Sequence, residues 1–145
     1  MRIKKYPLLG SVIMSSFLIL GACGDKEEVS EAPDKDTAQS EFGFQSFDLD
    51  IDTADQHDAI EASFDIDISE TEAEYVNQLE SKNLSGNDAY VELEPIFKEI
   101  GLTKDMSEEE VIEKVTQAFG VEEYTEFELE VEFSDGDNQE FNDSK

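Results

Sequence analysis

Phe47-Asp48-Leu49-Asp50-Ile51-Asp52 alternates apolar and acidic residues without a break. A side-chain period of two puts every second residue on the same face of an extended chain, so this segment reads as a strand with one buried and one wet face. The pattern returns in Ile60-Glu61-Ala62-Ser63-Phe64-Asp65-Ile66-Asp67-Ile68 and again in Phe127-Glu128-Leu129-Glu130-Val131-Glu132-Phe133. Three such strands call for a sheet covered on a single side.

Working outward, Thr53 to Asp58 is a polar link that makes the first two strands a hairpin. Phe42 and Phe44 have the opposite parity to Phe47, which requires a bulge or break near Gln45-Ser46. Between the second and third strands the period becomes helical. Tyr90, Leu93, Phe97 and Ile100 share a face with Ile96 beside them, Ser85 to Asp88 offers N-cap candidates, and Gly101 is placed as a C-cap. Pro95 removes one helical hydrogen bond, so a kink or restart is expected there. After a short link, Ser107 and Glu110 form a capping box, with Met106 and Val111 at the staple positions. Val111, Ile112, Val115, Ala118 and Phe119 supply the buried face, and Gly120 stops the helix. Glu72 to Lys82 reads equally as a short strand or a helical turn. The order strand, strand, short element, helix, helix, strand describes an α+β domain: an antiparallel sheet with an αα-hairpin on its apolar face. Phe47, Leu49, Ile51, Phe64, Ile66, Ile68, Phe127, Leu129, Val131 and Phe133 are its expected sheet core. If the sheet is open, Thr125 to Phe133 is the expected edge.

Residues 1–22 have a different character. Arg2, Lys4 and Lys5 precede an apolar run from Leu8 to Leu20. That run is shorter than the roughly 20 residues a membrane-spanning helix needs, and it fits the h-region of a secretory signal. Leu20-Gly21-Ala22-Cys23 then resembles the lipobox of bacterial lipoproteins. Small residues let the extended chain enter a peptidase cleft, and a thiol is the nucleophile that acquires a diacylglyceryl group. The competing reading is an ordinary cleaved signal with an incidental cysteine. The chain's single cysteine stands where a lipobox needs it, which favours lipidation of Cys23. Two acyl chains suffice for stable anchoring, so the expected location is the outer face of a bacterial cytoplasmic membrane. Residues 23–40 contain one aliphatic side chain larger than alanine, Val29, and read as a disordered acidic tether. The folded domain is then 41–145.

Composition limits the chemistry. The 145 residues carry 38 acidic against 10 basic side chains, a formal net charge of −28. With Arg2, Lys4 and Lys5 removed alongside the signal, it becomes −31. Such a surface does not bind nucleic acid through its own charge. A nucleophilic triad needs a base beside its nucleophile; the single histidine, His57, lies in the hairpin link and reads as an exposed loop residue, while Cys23 is consumed by lipid. No glycine-rich phosphate cradle is present, and no cofactor is implied. An EF-hand needs glycine at position 6 and glutamate at position 12. A frame starting at Asp48 has Thr53 and Ala59 there, and one starting at Asp135 runs out of chain. The carboxylates left for a looser calcium or magnesium site are Asp48, Asp50, Asp52, Asp135 and Asp137, although Asp135-Gly136-Asp137-Asn138 reads first as a turn.

The lipoprotein signal, the FDLDID strand, LSGNDAYVELEPIF, SEEEVIEKV and the closing YTEFELEVEFSDG together resemble the YusW-like proteins, over about residues 42–137. The resemblance implies a small lipoprotein of Bacillus-type bacteria and brings no catalytic residues. A fainter similarity is to secreted PepSY-type domains, which pair helices with a sheet and are associated with restraining proteases. The function expected is a non-enzymatic cell-surface lipoprotein whose domain is a binding or structural module. The alternatives are an inhibitory module for a secreted protease or membrane-protein ectodomain, and an extracellular calcium-binding module. The membrane is the partner through Cys23; a cationic or protein partner is open.

The outward residues Asp48, Asp50, Asp52, Asp65, Asp67, Glu126, Glu128, Glu130 and Glu132 generate one expectation directly. Like charges about 5 Å apart repel by roughly 0.8 kcal/mol in water and about 3 kcal/mol at an effective dielectric of 20. Raising ionic strength from about 0.01 M to 0.15 M shortens the screening length from roughly 30 Å to 8 Å. The melting temperature should therefore rise with salt, equally in NaCl, MgCl₂ and CaCl₂ at matched ionic strength. A melting temperature indifferent to NaCl contradicts the repulsion argument, and a gain specific to calcium marks a coordinated site.

Overall fold

The computed structural model describes residues 27–30, 35–67 and 70–145. Residues 1–26, 31–34, Ile68 and Ser69, and with them the signal segment and Cys23, lie outside the described residues.

Seven strands among the described residues form one antiparallel sheet: β1 (Glu27–Glu28), β2 (Phe44–Asp52), β3 (Ile60–Ile66), β4 (Thr71–Asn77), β5 (Lys82–Ser85), β6 (Glu126–Phe133) and β7 (Asn138–Ser144). Their spatial order is β1-β4-β3-β2-β6-β7, with β5 also paired to β4. Three helices accompany them among the described residues: α1 (Lys35–Phe42), α2 (Gly86–Ile100) and α3 (Glu108–Ala118). The α+β architecture is the one the periodicity demands. The expected hairpin is the β2–β3 pair, with Phe47 opposite Phe64 and Leu49 opposite Ala62. The expected bulge is a register shift between Phe44 and Ser46 against β6, which brings Phe44 and Phe47 to the same buried side.

The core lies between the sheet and the helices. Phe47, Leu49, Ile51, Phe64, Ile66, Phe127, Leu129, Val131 and Phe133 are all buried, as are Ala89, Tyr90, Leu93, Phe97 and Ile100 of α2 and Val111, Ile112 and Val115 of α3. Phe97 is the hub. Its ring centroid lies 5.1 Å from Phe44, 5.0 Å from Phe47, 5.4 Å from Phe64 and 5.6 Å from Phe42. Aromatic pairs at such spacings add to the burial of their area.

Helix ends follow the punctuation at Gly101 and Ser107, whereas Ser85, at the start of α2, makes no side-chain cap bond. Gly101 takes the left-handed conformation at φ 56° and donates its N–H to Phe97 O at 3.1 Å. Ser107 Oγ accepts from Glu110 N–H at 3.3 Å. The restart expected at Pro95 does not occur, and α2 is continuous. Pro95 and Val91 are both exposed, so the carbonyl that proline leaves without its i+4 donor faces water rather than the core.

Three expectations are resolved or corrected. The ambiguous stretch is strand: β4 and β5 form a hairpin, with Tyr75 opposite Leu84. The sheet continues past β6 into β7, so β6 lies between β2 and β7 and is not an edge. Segment 138–144 was hidden because NQEFNDS contains one large apolar residue, Phe141, too little for a visible period. The tether expectation fails at its described parts. Glu27–Glu28 pairs with β4, Val29 is buried with its N–H on Thr71 O at 2.7 Å, and Lys35–Phe42 is helical. One buried valine beside main-chain pairing holds what composition alone would leave free.

Phe97→Ala should cost about 3–5 kcal/mol, because four rings lose their common neighbour and the site cannot collapse around the gap. Urea unfolding of the domain measures it. A loss under about 1 kcal/mol would show that the aromatic cluster is not the packing centre.

Candidate functional site

Strand pairing turns the acidic alternation into rows running across the sheet. In one row Val76, Glu61, Asp50, Glu128 and Asn142 are successive cross-strand partners; in the next, Glu74, Ser63, Asp48, Glu130 and Glu140. A third carries Glu72, Asp65, Ser46, Glu132 and Asn138, and Asp52 faces Glu126 at the end of β2. Core packing leaves these side chains no other direction, since turning them over would bury carboxylates and expose phenylalanines. They surround two shallow depressions. One, of about 670 Å³, is lined by Asp48, Asp50, Glu61, Ser63, Glu74 and Lys82. The other, of about 500 Å³, is lined by Asp48, Glu128, Glu130, Glu140 and Asn142.

Asp50 is the most perturbed acid on this face. Partial burial first, then the charges of Asp58, Asp52, Glu61 and Glu128, push its pKa up to about 6. Glu61 is raised too, chiefly by burial and then by Asp58, Glu74 and Asp48. Two residues further along β2 the balance reverses. Burial raises Asp52, but the hydrogen bonds it accepts outweigh that and leave it below its ordinary value. Asp58 N–H donates to Asp52 Oδ1 at 2.7 Å, and His57 Nδ1 lies 2.6 Å from Asp52 Oδ2. Asp52 thus ties down the β2–β3 link, whose Asp58 adopts φ 50°.

Among the described residues, two triplets bring metal-capable atoms within 4.8 Å of one another: Asp52, His57 and Asp58, and Asp50, Asp58 and Glu61. In the first, both Asp52 oxygens already hold the loop. The second is a purely carboxylate set. The expected candidates are divided by the fold. Asp48, Asp50 and Asp52 do share the outer face of β2, but Asp135 and Asp137 lie at the β6–β7 turn, away from them. There Lys104 pairs with both, at 2.5 Å to Asp135, and holds the Asp135 carboxyl below its usual range, helped by the Asp137 N–H. That turn is a clamp between the α2–α3 connection and the sheet, not an open cation site. His57 is exposed, at 79% of its side chain, as expected of a loop residue, yet it is paired. The sequence reading passed over Glu61, Glu74, Glu140 and Asp58. Glu61 had a signal, since it shares the parity of Asp65; Glu74 and Glu140 sit on strands the periodicity could not reveal.

The family model described as YusW-like protein matches residues 45–135. The chain is also similar to the uncharacterized protein YusW of Bacillus subtilis (strain 168), 28% identical over 136 residues that cover 90% of this chain and 93% of that one. No solved structure matches.

The titrations set a pH dependence. Asp50 binds its proton more tightly folded than unfolded, so between about pH 4 and 6 folding takes up protons and stability falls as pH rises. His57, raised by its bond to Asp52, acts in the same direction: its contribution is present below 6.5 and lost as pH rises through its folded value. Asp52 acts oppositely, and its contribution is lost only as pH falls below the ordinary 3.8. Thermal melts should therefore show greater stability near about pH 5 than near about pH 8. Asp50→Asn, which removes a charge opposed by both Glu61 and Glu128, should stabilise by about 1 kcal/mol at the higher pH and flatten the profile. An unchanged profile in that variant would show that Asp50 does not set it.

Proposed function

The chain belongs to the YusW-like family, and from that premise we propose that it is a non-enzymatic lipoprotein of the bacterial cell surface. Cys23 carries the diacylglyceryl anchor on the outer face of the cytoplasmic membrane, and the acidic sheet face is the binding surface. The face gathers cationic material through charge density spread over several strands, rather than through one shaped cation cage. The observation that carries this reading is the register that sets Asp50 directly opposite both Glu61 and Glu128, with Asp48 opposite Glu130 in the adjoining row. Like charges placed opposite one another destabilise a sheet, and a cationic ligand relieves that cost. Support for the anchor is the lipobox-like Leu20-Gly21-Ala22-Cys23 after a cationic and apolar leader.

The anchor is tested by growth in labelled palmitate: the native chain should take up label and Cys23→Ala should not. Label on the variant would remove the lipoprotein reading. The face is tested by binding of an oligolysine peptide to the full-length lipidated protein. Replacing Asp48, Asp50, Glu128 and Glu130 by their amides should weaken binding several-fold more than neutralising Glu108, Glu109, Glu110 and Glu113 on α3. Equal losses would show that net charge, not this face, does the binding.

A further inference from the structure

Sequence distance and strand pairing together fix how far the domain stands from its anchor. Pairing with β4 begins at Glu27, Val29 is buried behind it, and Ser30 is fastened to α2: Asn87 Oδ1 accepts from Ser30 N–H at 2.8 Å, and Asn87 Nδ2 donates to Ser30 Oγ at 2.9 Å. Between Cys23 and Glu27 stand only Gly24, Asp25 and Lys26. Even fully extended, four residue steps span about 14 Å. That is shorter than the sheet is wide. Glu28, Glu72, Asp65, Ser46, Glu132 and Asn138 form one row of cross-strand partners from β1 to β7. Its five inter-strand steps at about 4.8 Å put Asn138 about 24 Å from Glu28.

The geometry points to a lipid surface as the partner of the β1–α2 edge: the mature protein is held with that edge against the bilayer and β7 outermost, instead of swinging on a long stalk. The proposal rests on lipidation of Cys23. The edge also presents apolar surface to what it faces. Val91 lies one helical turn beyond Asn87 on the same side of α2, is 58% exposed, and is followed after another turn by exposed Pro95. Such side chains suit an interface with headgroups and acyl chains better than open water. The carboxylates of β2 and β6 then stand away from the bilayer, while Glu28 and Glu72 of the near edge lie closest to it.

Single cysteines placed by Asp88→Cys or Pro95→Cys near the edge, and by Asn138→Cys at the far side, can carry a fluorophore on the full-length lipidated protein in vesicles of phosphatidylglycerol and phosphatidylethanolamine. Headgroup-nitroxide lipid should quench the two near reporters several-fold more than the Asn138 reporter. A flexible Gly/Ser spacer inserted between Lys26 and Glu27, long compared with the three native residues, should abolish the difference. Equal quenching at near and far sites without the spacer would overturn the placement while leaving the anchor intact. Quenching near the edge that survives the spacer would show that the tether length does not impose it. Protein that fails to pellet with vesicles at all would instead strike the lipidation reading on which the placement rests.

Discussion

Everything in this domain depends on the two-sidedness of β2. It is a central strand, paired on both edges, and its residues alternate between phenylalanine or aliphatic side chains and aspartates. Phe47, Leu49 and Ile51 must be covered, and all three are buried in the core, where Phe97 of α2 is the common neighbour of Phe47 and three further rings. Once that contact forms, the opposite parity has one place to go. A slip of one residue against β3 or β6 would exchange the two faces completely, so the core and the acidic surface are specified by the same pairing. The bulge between Phe44 and Ser46 extends this arrangement, adding a further phenylalanine to the buried side without disturbing the alternation beyond it.

Neighbouring carboxylates on this strand have opposite fates for local reasons. Asp52 lies where the β2–β3 link turns back, and the link supplies it with a backbone N–H and an imidazole. Two residues earlier, Asp50 meets carboxylates on both flanking strands and another from the link. Charge count alone treats the two as equivalent. Their hydrogen-bond environments make one a structural fastener and leave the other as the point of greatest electrostatic tension on the face.

The strands with strict alternation, both major helices, the C-cap of α2 and the N-cap of α3 were legible because the residues there carry the signal their positions require. Ser107 accepts from Glu110 and Gly101 takes the left-handed turn, as their types suggest. What could not be read has a physical cause in each case. The β7 strand is held by its ladder to β6 and by Phe141, with polar residues elsewhere, so its strand character comes from its partner. β1 is two residues long and exists because β4 leaves an edge open beside it. The acidic face was visible as a list of outward residues, but its rows were not, because which acids confront one another depends on spatial strand order. The Lys104 clamp joins residues 31 and 33 positions apart and leaves no local trace.

Three of the scarce lysines stand at junctions between elements. Lys82 at the start of β5 reaches Glu92 of α2, Lys98 of α2 reaches Glu41 of α1, and Lys104 joins the interhelical connection to the β6–β7 turn. Individually such exposed pairs contribute little. In a chain with nearly four acids for each base, however, a carboxylate is replaceable by its neighbours and these lysines are not. Tolerance of sequence drift should therefore be lopsided. Acidic positions across the sheet can exchange, move or disappear while the architecture persists, whereas the loss of a junction lysine leaves a carboxylate pair facing itself with no substitute nearby. Across divergent descendants of such a chain, these three lysines would mark the joints of the fold more faithfully than the acids mark its surface.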